Sequence, residues 1–241
     1  MLRVRLDPVP RARPAITWGI GDVLAAWGVG FLASLVAAAF VIDSRRPVQL
    51  LVLLVAQDGA MIAWLVYVAR RKGLGSLGAD FGFTLVPRQG SPWSGIPWFF
   101  LGVGIQVVAL VPVQLLVEIH GEAAKQDVVR VADTSSGIEV PLVILAVAAL
   151  APIAEELLFR GALLRALMRK TTPGWAVFVA AAVFGLVHVI GDPSIGSLIA
   201  LPVIVLLGLV CGYQAVITGD LCRPIMLHMG FNTLSAVLLF A

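Results

Sequence analysis

The chain has 241 residues, of which 60% are hydrophobic and 13% are charged, and its mean hydropathy is +1.00. Soluble domains carry about 25% charged residues, so this composition indicates a membrane protein. The net charge is +3. In a multi-span protein, basic residues usually mark the cytoplasmic side of the membrane. The positive charge therefore does not indicate a nucleic acid partner, and we predict none. Cys211 and Cys222 have no CxxC spacing and predict neither a disulfide framework nor a zinc knuckle.

The N-terminal residues 1–14 are basic but lack a short apolar stretch with a small-residue cleavage site, so no removable signal peptide is predicted. The fifth of the apolar stretches that follow is short, because Gly191-Asp192-Pro193 would end any helix there. We predict an all-α, multi-pass transmembrane helical bundle of about seven spans, with six and eight as the limits. The predicted spans are 18–42, 48–69, 95–117, 138–159, 174–190, 196–217 and 222–240.

The chain divides into two parts by content. Residues 1–137 hold the first three spans and show no specific motif. Within them, residues 70–95 are rich in glycine and charge and predict a cytosolic connector with one interfacial helix. Residues 138–241 carry most of the polar groups that apolar spans should not tolerate, and we interpret them as the functional helical core.

The basic residues predict the orientation in the membrane. With the N-terminus inside, 13 of the 17 lie on the cytoplasmic side and 4 outside, as the positive-inside rule favours. We therefore expect a cytoplasmic N-terminus, and the 14 arginines against 3 lysines favour a bacterial plasma membrane as the location of this multi-pass protein. The inner group is Arg3, Arg5, Arg11, Arg13, Arg70, Arg71, Lys72, Arg88, Arg160, Arg165, Arg169, Lys170 and Arg223, and the outer group is Arg45, Arg46, Lys125 and Arg130.

Residues 151–161, APIAEELLFRG, place two glutamates and an arginine in an apolar stretch. A charge at mid-bilayer costs about 2.5–3.5 kcal/mol, so such groups are rare and mark function by default. The alternative is a span that ends at Ala154 and leaves the charges in the interface. Glu156 and Arg160 are four residues apart and can pair on one helix face. Glu155 is rotated from that face by about 100°, so it lacks this partner and is suited to act as a general base.

Two of the three histidines, His188 and His228, fall in apolar spans, and the only asparagine, Asn232, shares a helix face with His228. A single histidine of this kind is more often a hydrogen-bonded core residue than a catalyst. Two of them together with an asparagine and a glutamate pair indicate a functional site.

A helical hairpin would bring Glu155 and His188 together. If residues 155–170 and 174–188 are antiparallel helices joined by a turn, the two side chains lie at one level, each on the order of 20 Å from the turn. A carboxylate and an imidazole would then face each other.

Three motifs resemble those of the CAAX prenyl protease and bacteriocin-processing family. EELLFR (155–160) is similar to its EExxxR motif, FGLVH (184–188) to its FxxxH motif and HMGFN (228–232) to its HxxxN motif. They occur in the family's order, and the resemblance covers roughly residues 138–240. It implies a multi-pass intramembrane endopeptidase of the glutamate type, acting on a lipidated or membrane-bound peptide or protein in the lipid bilayer.

Carried over by position, the resemblance implies catalytic roles for four residues. Glu155 and His188 would activate the attacking water, and His228 and Asn232 would stabilise the oxyanion. Glu156 and Arg160 would hold the geometry, and Phe184, from the FxxxH motif, would support the site. No cofactor is expected, and we expect the site to be accessible from the cytosolic side.

Two alternatives involve the same polar residues. His188, His228 and Glu155 are the ligand types of many catalytic zinc sites, and Glu156 would then be the base of a zinc-dependent protease. A non-enzymatic protein, either a proton-coupled transporter or a peptide-binding immunity protein, would use intramembrane acids and histidines as a relay or a binding site. The sequence shows no repeated halves with broken helices, which many transporters contain.

A third alternative is an aspartyl protease. Gly19-Ile20-Gly21-Asp22 matches a GxGD signature, and Asp58 in the next span is a conceivable partner. The order of the two aspartates disfavours this mechanism, and both residues are expected to lie away from the glutamates and histidines.

Overall fold

The computed structural model describes residues 16–120, 136–238 and 240. This part of the chain is helical and contains no strand. Six of its helices are long and apolar enough to cross a membrane, so the protein is an integral membrane protein with a multi-pass helical bundle, as predicted. These six are α1 (Ile20–Val41), α2 (Arg46–Lys72), α4 (Ile96–His120), α5 (Glu139–Met168), α6 (Pro173–Gly191) and α7 (Ile195–Thr218).

The two remaining helices are α3 (Leu77–Phe81) and α8 (Cys222–Leu238). Helix α3 is the short helix predicted in the connector, and α8, which has 17 residues, is the seventh predicted span. The absence of a signal peptide was predicted from residues 1–14, which lie outside the described residues. The same holds for six of the residues used to predict orientation, namely Arg3, Arg5, Arg11, Arg13, Lys125 and Arg130.

Helix α5 is the central span. Half of its most apolar window is buried inside the protein, against 6–33% in the other five long helices. It continues as one helix past Ala154 to Met168, so the helix itself does not end before the charges. Two π-helical stretches, Ala146–Leu150 and Leu157–Leu163, flank the two glutamates. Such stretches are frequent at functional sites.

Helices α4 and α8 cross at a pair of glycines. A methyl group on Gly102 would collide with the backbone carbonyl oxygen of Leu227, and one on Gly230 would collide with that of Phe99. Small residues allow membrane helices to approach this closely. The crossing fixes the stretch of α8 that carries His228.

We expect Gly102→Ala to destabilise the protein by about 1–3 kcal/mol, because the added methyl group forces α4 away from α8. The measurement is thermal unfolding in detergent. Gly104→Ala is the matched control on the same helix, since a methyl group there has no atom within 4 Å. Equal stability of the two variants would show that the crossing does not hold the helices together.

Candidate active site

Glu156 lies at the centre of a buried polar cluster. The guanidinium of Arg160 donates from Nη1 to Glu156 Oε1 at 2.9 Å, and both side chains are at most 1% exposed. The imidazole of His228, which is also buried, lies with Nδ1 2.9 Å from the same oxygen. The predicted pairing of Glu156 with Arg160 is confirmed, and the hydrogen bond to His228 is an addition that the spacing of the sequence could not indicate.

Glu155 points toward both histidines. Its Oε2 atom lies 3.6 Å from His228 Nε2 and 3.9 Å from His188 Nε2. No hydrogen-bond partner for this oxygen lies within the described residues. The side chain is 24% exposed, in contrast to the fully buried Glu156. The hairpin of α5 and α6 therefore brings Glu155 and His188 face to face, as predicted.

The outer hydrogen bonds of the histidines fix their tautomers. A carboxylate only accepts, so the proton on His228 Nδ1 is donated to Glu156. Nδ1 of His188 lies 2.7 Å from the carbonyl oxygen of Phe184, which also only accepts. Both imidazoles thus carry a proton on Nδ1 and direct Nε2 toward Glu155. This orientation makes Nε2 of each ring the atom available for chemistry.

Phe184 packs at the junction of these groups. Its ring contacts the imidazoles of His188 and His228 edge to face, with centroids 4.6 and 5.6 Å away. The Arg160 guanidinium carbon lies 4.2 Å from the centroid of the same ring. Phe184 therefore touches both histidines and the arginine, which accounts for an aromatic residue at this position.

Asn232 binds helix α5. Its amide Nδ2 donates to the carbonyl oxygen of Val147 at 2.9 Å. In this π-helical stretch the N–H of Ala151 bonds to the carbonyl of Ala146 five residues earlier. The carbonyl of Val147 would by the same pattern pair with Pro152, which has no N–H. Asn232 satisfies the acceptor that this proline leaves open.

A cavity of about 600 Å³ adjoins the site between α1, α2, α5 and α6. Glu155 and His188 line it, and so does Asp58 of α2. Asp58 was expected to lie away from the glutamates and histidines, and that prediction is wrong. The signal that could have found it is its position as a carboxylate inside an apolar span, which marks function by default.

Asp22 lies outside the cavity. It accepts a hydrogen bond from Gly19 N at the start of α1 and pairs with Lys72 at 2.6 Å. Lys72 is 14 residues from Asp58 along α2, which is about 21 Å of helix. The two aspartates do not face each other, and the aspartyl protease alternative fails on geometry.

The cavity extends away from the hairpin turn. It is lined by Gly191 and Asp192 at the C-terminal end of α6, whereas Arg169 and Lys170 lie at the turn before the first residue of α6. The charge distribution predicts the turn to be cytoplasmic, and in that orientation the cavity would lie on the outer side of Glu155, because the whole length of α6 separates the turn from Asp192. The predicted orientation and the predicted access from the cytosol are therefore alternatives for this cavity, and both stay predictions.

The zinc alternative needs His188, His228 and Glu155 to converge. The three side chains do meet at Glu155 Oε2. Within the described residues, however, no group of three or more His, Cys, Asp or Glu side chains is placed to hold a metal ion.

The fold and the site define a multi-pass helical membrane protein with a buried glutamate, histidine and arginine centre. Residues 137–234 match the family model described as "Type II CAAX prenyl endopeptidase Rce1-like". The match covers the three sequence motifs and all the predicted site residues. The resemblance to the CAAX prenyl protease family is therefore confirmed for this part of the chain.

A bacterial protein is also similar. An uncharacterized 24.3 kDa protein of Escherichia coli is 31% identical over 140 residues, which are 58% of this chain and 62% of that protein. The chain thus spans less than two thirds of the length of this curated relative. No solved structure matches the chain.

Proposed function

We propose that the protein is an intramembrane endopeptidase that hydrolyses a peptide bond with a water activated by Glu155 and His188. The observation that carries this proposal is the separation of the two glutamates. Glu156 is fully buried and its Oε1 atom bonds Arg160 and His228, while Glu155 is 24% exposed, lines the cavity and holds its Oε2 atom beside the Nε2 atoms of both histidines. The family match supports a protease.

In the proposed reaction Glu155 takes a proton from a water molecule, and the water oxygen attacks the scissile carbonyl carbon. His188 orients this water through its unprotonated Nε2. His228 in its protonated form donates from Nε2 to the oxyanion, and Glu156 stabilises that form at Nδ1. When the carbon–nitrogen bond breaks, the proton on Glu155 passes to the leaving amine. A preorganised donor in a dry site supplies several kcal/mol to such a step.

The substrate we propose is a peptide or protein segment inside the bilayer, with or without a lipid anchor. The N-terminus is proposed to be cytoplasmic, from the charge distribution. In that orientation the substrate reaches the cavity from the outer half of the membrane, because the cavity extends to Asp192 at the far end of α6.

Membrane peptides compared between a strain with the wild-type protein and one with Glu155→Gln test this function. Peptides cut by the enzyme should accumulate intact only in the variant strain, and an unchanged peptide pattern would contradict the proposal. The purified protein assayed with and without a strong chelator then decides the zinc alternative. Loss of turnover with the chelator, restored by zinc, would replace the metal-free mechanism.

We expect Asn232→Ala to lower kcat by about 10²–10³ without shifting the pH optimum, because an oxyanion donor transfers no proton. One amide proton bonds Val147, and the second is proposed to serve the oxyanion. The variant should also lose about 1 kcal/mol of stability, since the Val147 carbonyl becomes unpaired. Turnover and thermal unfolding measured together separate the two effects.

Pro152→Ala in the Asn232→Ala background is the control. It gives the Val147 carbonyl a backbone N–H as a new partner, so stability should recover while turnover stays low. Recovery of both would show that Asn232 acts only on structure.

A further inference from the structure

The cavity beside Glu155 is acidic and aromatic. Among the described residues that line it, the acidic ones are Asp58, Glu155 and Asp192, and none is a lysine or an arginine. Trp27 and Phe31 of α1 form part of its wall, with their rings stacked at a centroid distance of 6.1 Å. Carboxylates and aromatic faces are the groups that bind organic cations in proteins.

Asp58 is the most deeply buried of these acids. It is 2% exposed, and its Oδ2 atom has no hydrogen-bond partner within the described residues. Burying a polar group without a partner is costly, and more so for a carboxylate inside a membrane. A residue kept there at this cost is expected to have its partner in a bound ligand.

Within residues 16–120 and 136–238, two other aspartates are almost fully buried, and both have structural partners. Asp80 accepts hydrogen bonds from the indole of Trp18 and from the backbone N–H of Leu74. Asp220 accepts from the backbone N–H groups of Arg88 and Cys222. Asp58 therefore differs from them in that it has an unsatisfied oxygen and lines a cavity.

We infer that Asp58 binds a basic side chain, lysine or arginine, of the peptide substrate close to the bond that is cut. The inference rests on the proposed function, because Asp58 and Glu155 line one cavity. The cation would pair with the Asp58 carboxylate and pack on the aromatic wall. Asp58 would thus select the substrate without taking part in the proton transfers at Glu155.

The test uses the full chain reconstituted in liposomes and a randomised library of membrane-inserting peptides, with cleaved bonds identified by mass spectrometry. The wild type should enrich lysine or arginine within two residues of the cut by about 10- to 100-fold, the range expected for a hydrogen bond to a charged group. The best peptide is then compared with a version in which norleucine replaces the basic residue.

Asp58→Asn should remove the preference for the basic peptide, so that the ratio of kcat/KM for the basic peptide to kcat/KM for the norleucine peptide falls by about 10- to 100-fold, since the uncharged side chain makes no ion pair. Asp22→Asn is the matched control, because Asp22 lies outside the cavity, and it should keep the preference. An unchanged preference in Asp58→Asn, or an equal loss of turnover on both peptides, would overturn the inference.

Failure of the proposed function gives a different result. If the wild type cuts nothing in the library, the endopeptidase proposal fails, and binding decides the role of Asp58. A lysine peptide should then raise the unfolding temperature of the wild type more than its norleucine counterpart does, and Asp58→Asn should abolish that difference. Equal shifts with the two peptides would refute the cation site independently of turnover.

Discussion

Glu155→Ala is expected to lower peptidase turnover by about 10²–10⁴-fold, the contribution typical of a general base. The protein should stay folded, because Glu155 Oε2 has no hydrogen-bond partner among the described residues and its removal leaves no buried donor unpaired. The measurements are kcat on a peptide found by the membrane-peptide comparison, and thermal unfolding in detergent. Glu155→Gln, which keeps the shape of the side chain, should be equally inactive.

His188→Ala tests the second residue that is proposed to activate the attacking water. Its Nδ1 bonds only to a backbone carbonyl of its own helix, so the variant should fold normally and lose turnover as Glu155→Ala does. A Glu155→Ala protein with wild-type turnover would remove Glu155 from the role of base. The reaction would then need a different group to activate water.

Glu156→Ala is expected to destabilise the protein by about 3–5 kcal/mol, because it leaves the buried Arg160 guanidinium without its carboxylate. It also removes the hydrogen-bond acceptor of His228 Nδ1. Turnover should fall with stability, since no carboxylate then stabilises the protonated form of His228 at Nδ1. Thermal unfolding in detergent, measured beside Glu155→Ala, checks the expected contrast between neighbouring glutamates.

A double variant separates the two roles of Glu156. Replacing a buried ion pair by apolar residues of similar volume is often neutral for stability, so Glu156→Leu with Arg160→Met should regain much of the lost stability. Turnover should stay low, because His228 still lacks its partner. If Glu156→Ala unfolds at the temperature of the wild type, the ion pair contributes no stability and its assignment as a structural pair is wrong.

Much of the fold could be predicted from the sequence, because the bilayer restricts the backbone structures that can cross it. An apolar stretch of about 20 residues is long enough to form a membrane-spanning helix. All seven predicted stretches contain a helix. Helix ends were also predictable where residue types decide them. Helix α6 ends at Gly191, just before Asp192 and Pro193, as expected for that tripeptide.

Local spacing along one helix also predicted part of the site. Glu156 and Arg160 lie four apart and therefore had to share a face, and they pair at 2.9 Å. Counting residues on either side of the turn also predicted that Glu155 and His188 lie at the same height along the helical hairpin. Both predictions depend only on the rise and the period of a helix, which are nearly independent of sequence.

The tertiary structure decided everything that depends on contact between distant helices. Asp58 precedes Glu155 by almost a hundred residues and carries no motif, and only the packing of α2 against α5 brings it to the cavity. Likewise Asn232 meets Val147 because a proline in a π-helical turn leaves one carbonyl free. Helix periodicity determines which face of a helix a side chain occupies, whereas the partner of that face is set by close packing of whole helices.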